Sequence, residues 1–464
     1  MTMGQDHERA DQEAVDTRIG GQARRHARLG LEASRVAARY VGRRATGRQD
    51  DGVSGASDLV RALGGLKGPV MKVAQLLAAV PDLLPPEYAK QLSTLQADAP
   101  PMGWLFVRRR MAAELGPDWQ DRFEAFGRKA AHAASLGQVH RARADGRDLA
   151  LKLQYPDMAS TVQADLKQLR FFLGLYGRYD RAIHTSEVYA ELAVRLQEEL
   201  DYARERRTMR MFADMLASTD GVRVPEPVAA LCTERLLTMT WLEGRRLSEF
   251  ADAPQEVRDQ AALRLFHAWY QPFYWYGVIH GDPHPGNYSL AADGTLNLLD
   301  FGCVRTFDAR FVEGVINLYR AKRDGDKGLA VAAYESWGFT GLSQEMLDVL
   351  DLWADYLYAP LLDDQTRPIQ EGTSAGRRVV VHVHRELRRL GGVKPPREFV
   401  LVDRAAIGLG SVFTTLGARL NWHRLIEEIM GGFSKEALAR NQCRALQRAG
   451  FQAAETGSEQ HSAG

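Results

Sequence analysis

Residues 279–287 read Ile-His-Gly-Asp-Pro-His-Pro-Gly-Asn, and residues 300–302 read Asp-Phe-Gly. These motifs bring two carboxylates, those of Asp282 and Asp300, close in sequence to the side-chain amide of Asn287. Phosphoryl transfer needs an acidic residue that orients the attacking oxygen, together with oxygen ligands for Mg²⁺. We therefore expect Asp282 to act as the base or orienting group. Asn287 and Asp300 are the expected ligands of the metal ion.

The spacing of these residues is typical of the catalytic and metal-binding loops of kinases. An asparagine follows Asp282 by five positions, and Asp-Phe-Gly comes after a strand pair predicted around residues 287–300. A lone Asp-Phe-Gly is a weak signal, whereas the combination is specific. A zinc site at His280 and His284 is a weaker alternative, because no third ligand cluster stands out. We expect His280 instead to hydrogen-bond the backbone near the loop.

The composition of the chain limits the classes of function. Its 464 residues are 45% hydrophobic and 26% charged, as in ordinary globular proteins, and suffice for two or three packed units. The net charge of +1 gives no reason to expect a nucleic-acid partner. Three widely separated cysteines argue against a disulfide framework or a structural zinc site.

Membrane contact is expected to be peripheral. No apolar run approaches the roughly 18 residues that a membrane-spanning helix needs, and no signal peptide is recognisable. Nine arginines between residues 18 and 48 face one acid, Glu32. This basic amphipathic segment either lies on an anionic membrane or forms a solvated helix docked on the fold. We therefore expect a cytoplasmic protein that has a lipid or a membrane surface as a partner.

A candidate phosphate-binding lysine lies on a predicted strand. Asp145-Gly146 is a strong hairpin-turn signal, and residues 149–153, Leu-Ala-Leu-Lys-Leu, form the expected return strand. This strand is similar to the Val-Ala-Ile-Lys strand of kinases, whose lysine contacts the phosphates of ATP. The alternative is a surface lysine on an edge strand, which the small-residue loop before it and the acid-rich helix after it disfavour. We expect Lys152 to contact the nucleotide.

Residues 130–138, Ala-Ala-His-Ala-Ala-Ser-Leu-Gly-Gln, lie where kinases place a glycine-rich phosphate lid. Glycine allows positive φ and close backbone approach, whereas alanine keeps the loop small without that freedom. We expect a stiffer lid that contacts the nucleotide through Ala133, Ala134, Ser135 and Gly137. The alternative is the start of a helix, because alanine favours helix.

A helix is predicted from Glu187 to Met211, because leucines recur there every four residues. Glu199 and Glu205 are six residues apart, which places them about 120° apart around a helix axis. They are therefore expected to pair with two different lysines, of which Lys152 is one. The alternative is a solvated acidic face balanced by neighbouring arginines.

Together these residues resemble the UbiB family of atypical kinases, whose eukaryotic members include the ADCK proteins. Residues 68–77, Gly-Pro-Val-Met-Lys-Val-Ala-Gln-Leu-Leu, look like the family's Lys-x-Gly-Gln extension. Residues 135–140, Ser-Leu-Gly-Gln-Val-His, look like the end of its alanine-rich loop. Residues 199–201, Glu-Leu-Asp, look like its Glu-x-Asp motif. The resemblance covers about residues 20–450.

The resemblance implies a role for each motif. Lys72 and Gln75 would lie over the nucleotide pocket, where the extension blocks the usual protein-substrate cleft. Lys72 would approach Glu199 and Asp201, and Glu205 would pair with Lys152. The expected catalytic residues are Asp282, Lys152 and Lys72, the expected nucleotide-binding residues are Lys152, Ala133, Ala134, Ser135, Gly137, Glu205, Glu199 and Gln75, and the expected metal ligands are Asn287 and Asp300.

Two residues depart from the family pattern. Ala74 stands where the extension has glycine, and His132 stands where the loop has alanine. The change at Ala74 is small. His132 either brings a donor near the phosphates or caps the loop.

The order of the predicted elements indicates an α+β, bilobal protein-kinase-like fold with a helical N-terminal extension. The expected divisions are a disordered tail (1–17), the helical extension (18–118), a small lobe (119–243), a helical large lobe (244–451) and a second disordered tail (452–464). A helix predicted to begin near Ala309 leaves little room for the activation segment that docks a peptide in protein kinases.

The resemblance implies an atypical kinase-like ATPase that binds ATP or ADP with Mg²⁺ and supports the biosynthesis of ubiquinone or a related isoprenoid lipid. Its partners would be a nucleotide, a lipid or membrane surface, and quinone-biosynthesis proteins or a second copy of the chain. One alternative is a small-metabolite phosphotransferase of the aminoglycoside- or choline-kinase type. The other is a nucleotide-gated lipid-binding scaffold.

Overall fold

The structure is a computed structural model that describes residues 102–451 with gaps. The gaps are residues 135, 157, 164–165, 168–169, 171–188, 190–192, 195, 340, 370–378, 380–381, 384, 387–388 and 391–396. The predictions made for Lys72, Ala74, Gln75 and Ser135 lie outside the described residues, as do those for residues 1–101 and 452–464.

The chain divides into two compact units, one of Met1–Pro100 with Asp157–Leu196 and one of Pro101–Pro156 with Gln197–Gly464. In the first unit, residues 158–163 are helical. The elements named below all belong to the second unit.

The helices of the second unit are α1 (Trp104–Leu115), α2 (Tyr202–Met215), α3 (Gln255–Tyr276), α4 (Ala309–Asp324), α5 (Lys327–Ser336), α6 (Gln344–Leu362), α7 (Arg397–Leu416), α8 (Trp422–Met430) and α9 (Lys435–Ala449). The strands are β1 (Ala125–Phe126), β2 (His132–Ala134), β3 (Gly137–Ala144), β4 (Arg147–Gln154), β5 (Val222–Arg223), β6 (Leu236–Thr240), β7 (Arg245–Arg246), β8 (Val278–His280), β9 (Tyr288–Leu290), β10 (Leu296–Leu298) and β11 (Val304–Thr306).

The small lobe contains an antiparallel sheet in the order β1-β3-β4-β6, with β2 paired to the start of β3. Asp145 and Gly146 join β3 to β4 with φ angles of 51° and 69°. A two-residue hairpin turn of type I′ requires this left-handed backbone at both positions. The predicted hairpin and its return strand are therefore confirmed.

One face of this sheet forms the smaller of the two hydrophobic cores found among the described residues. Along β3, Ala142 and Ala144 are buried while the arginines beside them are exposed, as the two-residue period of a strand requires. Val107 and Met111 of α1 are fully buried in the same core. Helix α1 precedes the predicted boundary at residue 118, yet it packs on the sheet of the small lobe.

A buried polar relay runs from Met102 through Gln138 and His140 to Gly127. The amide N–H of Met102 donates to Gln138 Oε1 at 2.7 Å, and Gln138 Nε2 lies 2.6 Å from His140 Nε2. His140 Nδ1 lies 2.7 Å from the carbonyl oxygen of Gly127. Because a carbonyl only accepts, Nδ1 carries the proton and Nε2 accepts from the amide of Gln138. The relay thus ties Met102, two positions before α1, to the sheet.

Helix α3 lies at the centre of the larger core, where Phe266, Trp269 and Phe273 are buried. The helix ends at Gly277, which has a φ of 61°, and a Cβ there would lie 2.5 Å from the carbonyl oxygen of Phe307. Glycine therefore lets the chain turn directly from α3 into β8. Strand β8 pairs antiparallel with β11.

Two features of the structure differ from the predictions. The helix predicted from Glu187 to Met211 is interrupted, because residues 199–200 form a turn and Asp201 caps a new helix, α2. Glu199 and Glu205 therefore do not share one helix, and the prediction of a 120° separation was wrong.

The pair β8 and β11 was not predicted, because each strand has three residues and gives no clear alternation. Helix α4 begins at Ala309, as predicted.

Acidification is expected to destabilise the protein through His140. Burial lowers the pKa of His140 below 6.5, although the hydrogen bond to Gly127 opposes this effect. Below that pH the unfolded chain binds a proton that the folded protein does not. The free energy of unfolding therefore falls as the pH decreases from 7 toward 5, by at most about 1.4 kcal/mol per pH unit from this residue.

Urea denaturation at several pH values measures this dependence. The His140→Gln variant should lack this part of the slope, whereas a His284→Gln variant, which changes an exposed histidine, should retain it. Equal slopes for the two variants would contradict the protonation state assigned to His140.

Candidate active site

Lys152 lies between two carboxylates that come from distant parts of the chain. Its Nζ donates to both carboxylate oxygens of Glu205, at 2.7 and 2.9 Å, and to Asp300 Oδ2 at 3.1 Å. Lys152 belongs to β4, Glu205 lies in the first turn of α2, and Asp300 follows β10. The structure therefore contains the Lys152–Glu205 pair that the family resemblance implied, and Asp300 joins it.

Burial and charge oppose each other at these three groups. Burial raises the pKa of Glu205 to about 7, against the attraction of Lys152. Burial alone would lower the pKa of Lys152, but Asp300 and Glu205 raise it well above its usual value. Burial alone would raise the pKa of Asp300, but Lys152 and the N–H of Gly302 hold it below its usual range. A charged lysine therefore faces an ionised Asp300, whose side chain is 41% exposed.

The backbone around Asp300 holds its carboxylate in place. The N–H of Gly302 donates to Asp300 Oδ1 at 2.9 Å. Phe301 is fully buried and packs against Phe212, with ring centroids 5.3 Å apart. Nε2 of His280 contacts the carbonyl oxygen of Asp300, which agrees with the backbone contact expected for this histidine. Asp-Phe-Gly thus combines a partly open acid with an aromatic anchor.

Asp282 and Asn287 lie together on the loop that follows β8. Asn287 Nδ2 donates to the carbonyl oxygen of Asp282 at 2.9 Å and to Asp282 Oδ2 at 3.2 Å. Residues Pro285–Asn287 form one helical turn, and His284 caps it by accepting from the N–H of Gly286 at 3.0 Å. Because the amide nitrogen of Asn287 is used inside the loop, its amide oxygen is the atom that can contact a metal ion.

The loop after β8 and the Asp300 segment touch each other directly. The N–H of Gly281 donates to the carbonyl oxygen of Cys303 at 2.6 Å. A Cβ on Gly281 would lie 2.9 Å from Cys303 Sγ, so a larger residue there would force Cys303 to shift. On the other side, the N–H of Leu299 donates to the carbonyl oxygen of Asn287 at 3.0 Å. The residue before Asp300 is therefore bonded to the residue expected to share its metal ion.

These side chains fit a Mg²⁺ site. Asp300 offers a partly exposed carboxylate, and Asn287 offers an amide oxygen. Mg²⁺ is usually bound through one or two protein oxygens and takes its other ligands from water and phosphate. The expected metal ligands, Asn287 and Asp300, are a donor pair of this kind.

The segment expected to form the lid is a strand, a turn and a strand. Ala134 of β2 pairs with Gly137 of β3, so the alternative of a helix start was wrong. A Cβ on Gly137 would lie 2.4 Å from the carbonyl oxygen of Leu153 and 3.1 Å from the hydroxyl of Tyr202. Glycine is therefore required for β3 to approach β4 next to Lys152.

His132 stacks on Trp241, with ring centroids 6.0 Å apart and ring planes 12° from parallel. Arg141 lies over the same indole, 5.0 Å from its centroid. This packing favours the interpretation that His132 caps the lid over the one in which it donates to phosphate. Ala133 is exposed beside it, and its backbone pairs with Gln138.

Helix α7 lies against the loop that carries Asp282. A Cβ on Gly408 would lie 2.8 Å from Pro283 Cγ, so the helix and the loop are in contact at the residue after Asp282. Nothing in the sequence of α7 predicted this contact. It depends on how a distant helix packs, and no local pattern encodes that packing.

Three charged residues connect the region of α2 to the segment after Asp300: Glu198, Arg204 and Arg305. No sequence motif predicted a role for them. Arg305 Nη2 lies 2.6 Å from Glu198 Oε2, and Arg204 Nη2 lies 3.2 Å from the carbonyl oxygen of Val304. Glu199, which was predicted to contribute, lies in the turn before α2. The only signals in the sequence were an extra acid before Glu199 and an arginine three residues after Gly302.

Across the described ranges, we find no helix that has both the length and the apolar character needed to cross a membrane.

The model of the ABC1 atypical kinase-like domain matches residues 94–332, just over half of the chain. The mitochondrial atypical kinase coq-8 of Caenorhabditis elegans is 29% identical over 301 residues, which are 63% of this chain and 40% of that protein. The mitochondrial atypical kinase COQ8 of Saccharomyces cerevisiae is 29% identical over 289 residues, which are 61% of this chain and 58% of that protein. The matches therefore span about half the length of these relatives.

A solved structure, the complex of Rv3197 from Mycobacterium tuberculosis with erythromycin, has a TM-score of 0.58 to this chain. The two sequences are 26% identical, and the alignment covers 83% of this chain and 97% of that one. With the family match, this similarity confirms the expected atypical-kinase resemblance and the kinase-like fold.

Replacing Gly408 is expected to disturb the contact between α7 and the Asp282 loop. The new methyl group of Gly408→Ala would lie 2.8 Å from Pro283 Cγ, so the helix or the loop must move. We expect a loss of about 1–3 kcal/mol in the free energy of unfolding, as for other overpacked sites.

The matched control is Gly432→Ala, because a Cβ there meets no atom within 4 Å. Denaturant titrations of both variants measure the free energy of unfolding. A Gly408→Ala protein as stable as the control would show that α7 does not press on the loop.

Proposed function

Because the chain belongs to the family of the ABC1 atypical kinase-like domain, we propose that it binds ATP or ADP with Mg²⁺ and acts as an atypical kinase-like ATPase. The observation that carries this proposal is the contact of Lys152 with both Glu205 and Asp300. In kinases, phosphoryl transfer requires both a lysine–glutamate ion pair and a metal-binding aspartate in place.

Each residue of the site has a separate part in this proposal. Lys152, oriented by both oxygens of Glu205, would donate to phosphate oxygens of the nucleotide. Asp300 and Asn287 would hold Mg²⁺, which supplies positive charge to the phosphates. Asp282 is exposed next to Asn287, and it would orient the attacking oxygen and accept its proton. The lid residues Ala133, Ala134, Ser135 and Gly137 stay predicted nucleotide contacts.

The surroundings of Asp282 support water, a small molecule or a lipid as the acceptor over a protein. The six residues 303–308 separate Asp-Phe-Gly from α4, and three of them form β11. This leaves no length for a peptide-docking activation segment at that point of the chain. Helix α7 also packs against the loop at Pro283, the residue after Asp282. The predicted roles of Lys72 and Gln75 over the nucleotide pocket point the same way, and they stay predictions.

We also propose that the activity supports the biosynthesis of ubiquinone or a related isoprenoid lipid, because the motif residues resemble those of the UbiB family. A lipid or membrane surface, quinone-biosynthesis proteins and a second copy of the chain are the partners expected on the same ground.

Phosphate release tests the proposed activity. The full chain, with Mg²⁺, ATP and anionic liposomes, should release phosphate, and Asp300→Asn should reduce the rate by at least about 100-fold, because it removes a metal ligand and a charge beside Lys152. Asp220→Asn, which changes an exposed acid outside the site, should keep the wild-type rate. The absence of turnover under every lipid condition would contradict the proposal, as would a fully active Asp300→Asn protein.

A further inference from the structure

Every backbone carbonyl from Asp300 to Val304 has a hydrogen-bond partner. The acceptor and donor pairs are Asp300 O with His280 Nε2, Phe301 O with Thr208 Oγ1 at 2.8 Å, Gly302 O with Arg204 Nη1 at 3.5 Å, Cys303 O with Gly281 N at 2.6 Å, and Val304 O with Arg204 Nη2 at 3.2 Å. Three of these donors come from two residues of α2, Arg204 and Thr208. In kinases that are switched by modification, this segment lies at the start of a loop that phosphorylation orders.

A buried ion pair links Glu198, which lies four residues before α2, to Arg305, which directly follows this segment. Arg305 Nη1 and Nη2 donate to Glu198 Oε1 and Oε2 at 2.9 and 2.6 Å. The side chains are 6% and 13% exposed, respectively. A bidentate pair of this kind fixes geometry as well as distance, because the planar guanidinium matches the carboxylate.

Arg204 joins this pair to the helix that carries Glu205. Its Nη2 lies 3.5 Å from Glu198 Oε1, and the same guanidinium donates to the carbonyl oxygens of Gly302 and Val304. Its backbone N–H is capped by Asp201 Oδ1 at 2.8 Å. The first turn of α2 therefore contacts the Asp300 segment through Arg204 and holds Lys152 through Glu205.

A buried ion pair gives little net stability, because the cost of removing both charges from water offsets their attraction. The role of Glu198, Arg204 and Arg305 is therefore inferred from the segments that they connect, and not from a contribution to stability. They join the helix that orients Lys152 to the loop that carries Asp300, through hydrogen bonds to carboxylate and carbonyl oxygens of the chain itself.

We propose that Glu198, Arg204 and Arg305, here called the clamp, are positioning residues that hold Asp300-Phe301-Gly302 permanently against α2. The clamp orders this segment, as a phosphate–arginine contact orders the activation loop in kinases that are regulated by phosphorylation. This inference rests on the proposed metal and nucleotide site at Asp300. In the proposed site the clamp holds neither the nucleotide nor the metal ion itself, and it acts through the placement of Asp300.

Two variants test the clamp, and a third serves as the control. Glu198→Gln leaves Arg305 buried without its charge partner. A double variant, Glu198→Met with Arg305→Met, removes both charges and keeps apolar volume, which commonly preserves or increases stability. Glu114→Gln is the matched control, because Glu114 forms a comparably buried pair with Arg110 in the small lobe, away from this segment.

Two readouts do not require turnover. Hydrogen–deuterium exchange of residues 300–306 in the free protein reports whether the segment is held. The second readout is a titration with Mg²⁺ at a fixed ATP concentration, in which the binding of ATP to the protein is measured. It reports whether Asp300 is placed to bind the metal ion. For the double variant we expect faster exchange and an apparent Mg²⁺ affinity about 10–100-fold weaker, the range seen when the partners of metal ligands are removed. ATP affinity without Mg²⁺ should stay within about threefold, since no phosphate contact is removed.

A purely structural role makes the opposite prediction. In that case the double variant, once stably folded, would match the wild type in exchange and in Mg²⁺ dependence, and this result would overturn the proposal. The control Glu114→Gln should match the wild type in both readouts. If the wild type released no phosphate, the proposed ATPase activity would fail by itself, because exchange and Mg²⁺ titration decide the clamp without it.

Discussion

The ammonium group of Lys152 is the point at which the separate parts of this fold meet. It lies on the central hairpin of the small lobe, contacts Glu205 at the start of α2, and contacts Asp300, which follows the antiparallel pair of β9 and β10. The single ammonium group can contact both carboxylates only if the sheet, the helix and the loop hold fixed positions relative to one another. Much of the local structure meets this demand: Gly137 lets β3 approach β4, and Phe301 anchors the loop in the larger core.

Predictions from sequence succeeded where a local pattern has a local cause. Asp145-Gly146 favours a tight turn because both positions need left-handed backbone, and the two strands around it follow. The start of α4 at Ala309 is marked by Asp308, whose side chain accepts from the N–H of Phe311. The pairing of Lys152 with Glu205 came from the family resemblance, because nothing within either segment specifies its distant partner.

Predictions failed where tertiary contacts decide the local structure. The leucine period across residues 187–211 favours one helix, but Asp201 instead caps a new one, which places Glu205 in a first turn facing Lys152. The Glu198–Arg305 pair joins residues more than one hundred positions apart, so no spacing rule could find it. Gln138 and His140 were noted only as part of a family motif. The structure shows that they form a buried relay that fixes α1 to the sheet.

The central claim is that Lys152 and Glu205 act as one unit in nucleotide binding. A double-mutant cycle with Lys152→Met and Glu205→Gln, read as the affinity for ATP with Mg²⁺, measures their coupling directly. If Glu205 acts by orienting Lys152, each single variant should weaken binding, and Glu205→Gln should have no further effect once Lys152 is replaced. Independent, additive losses in the double variant would contradict this account.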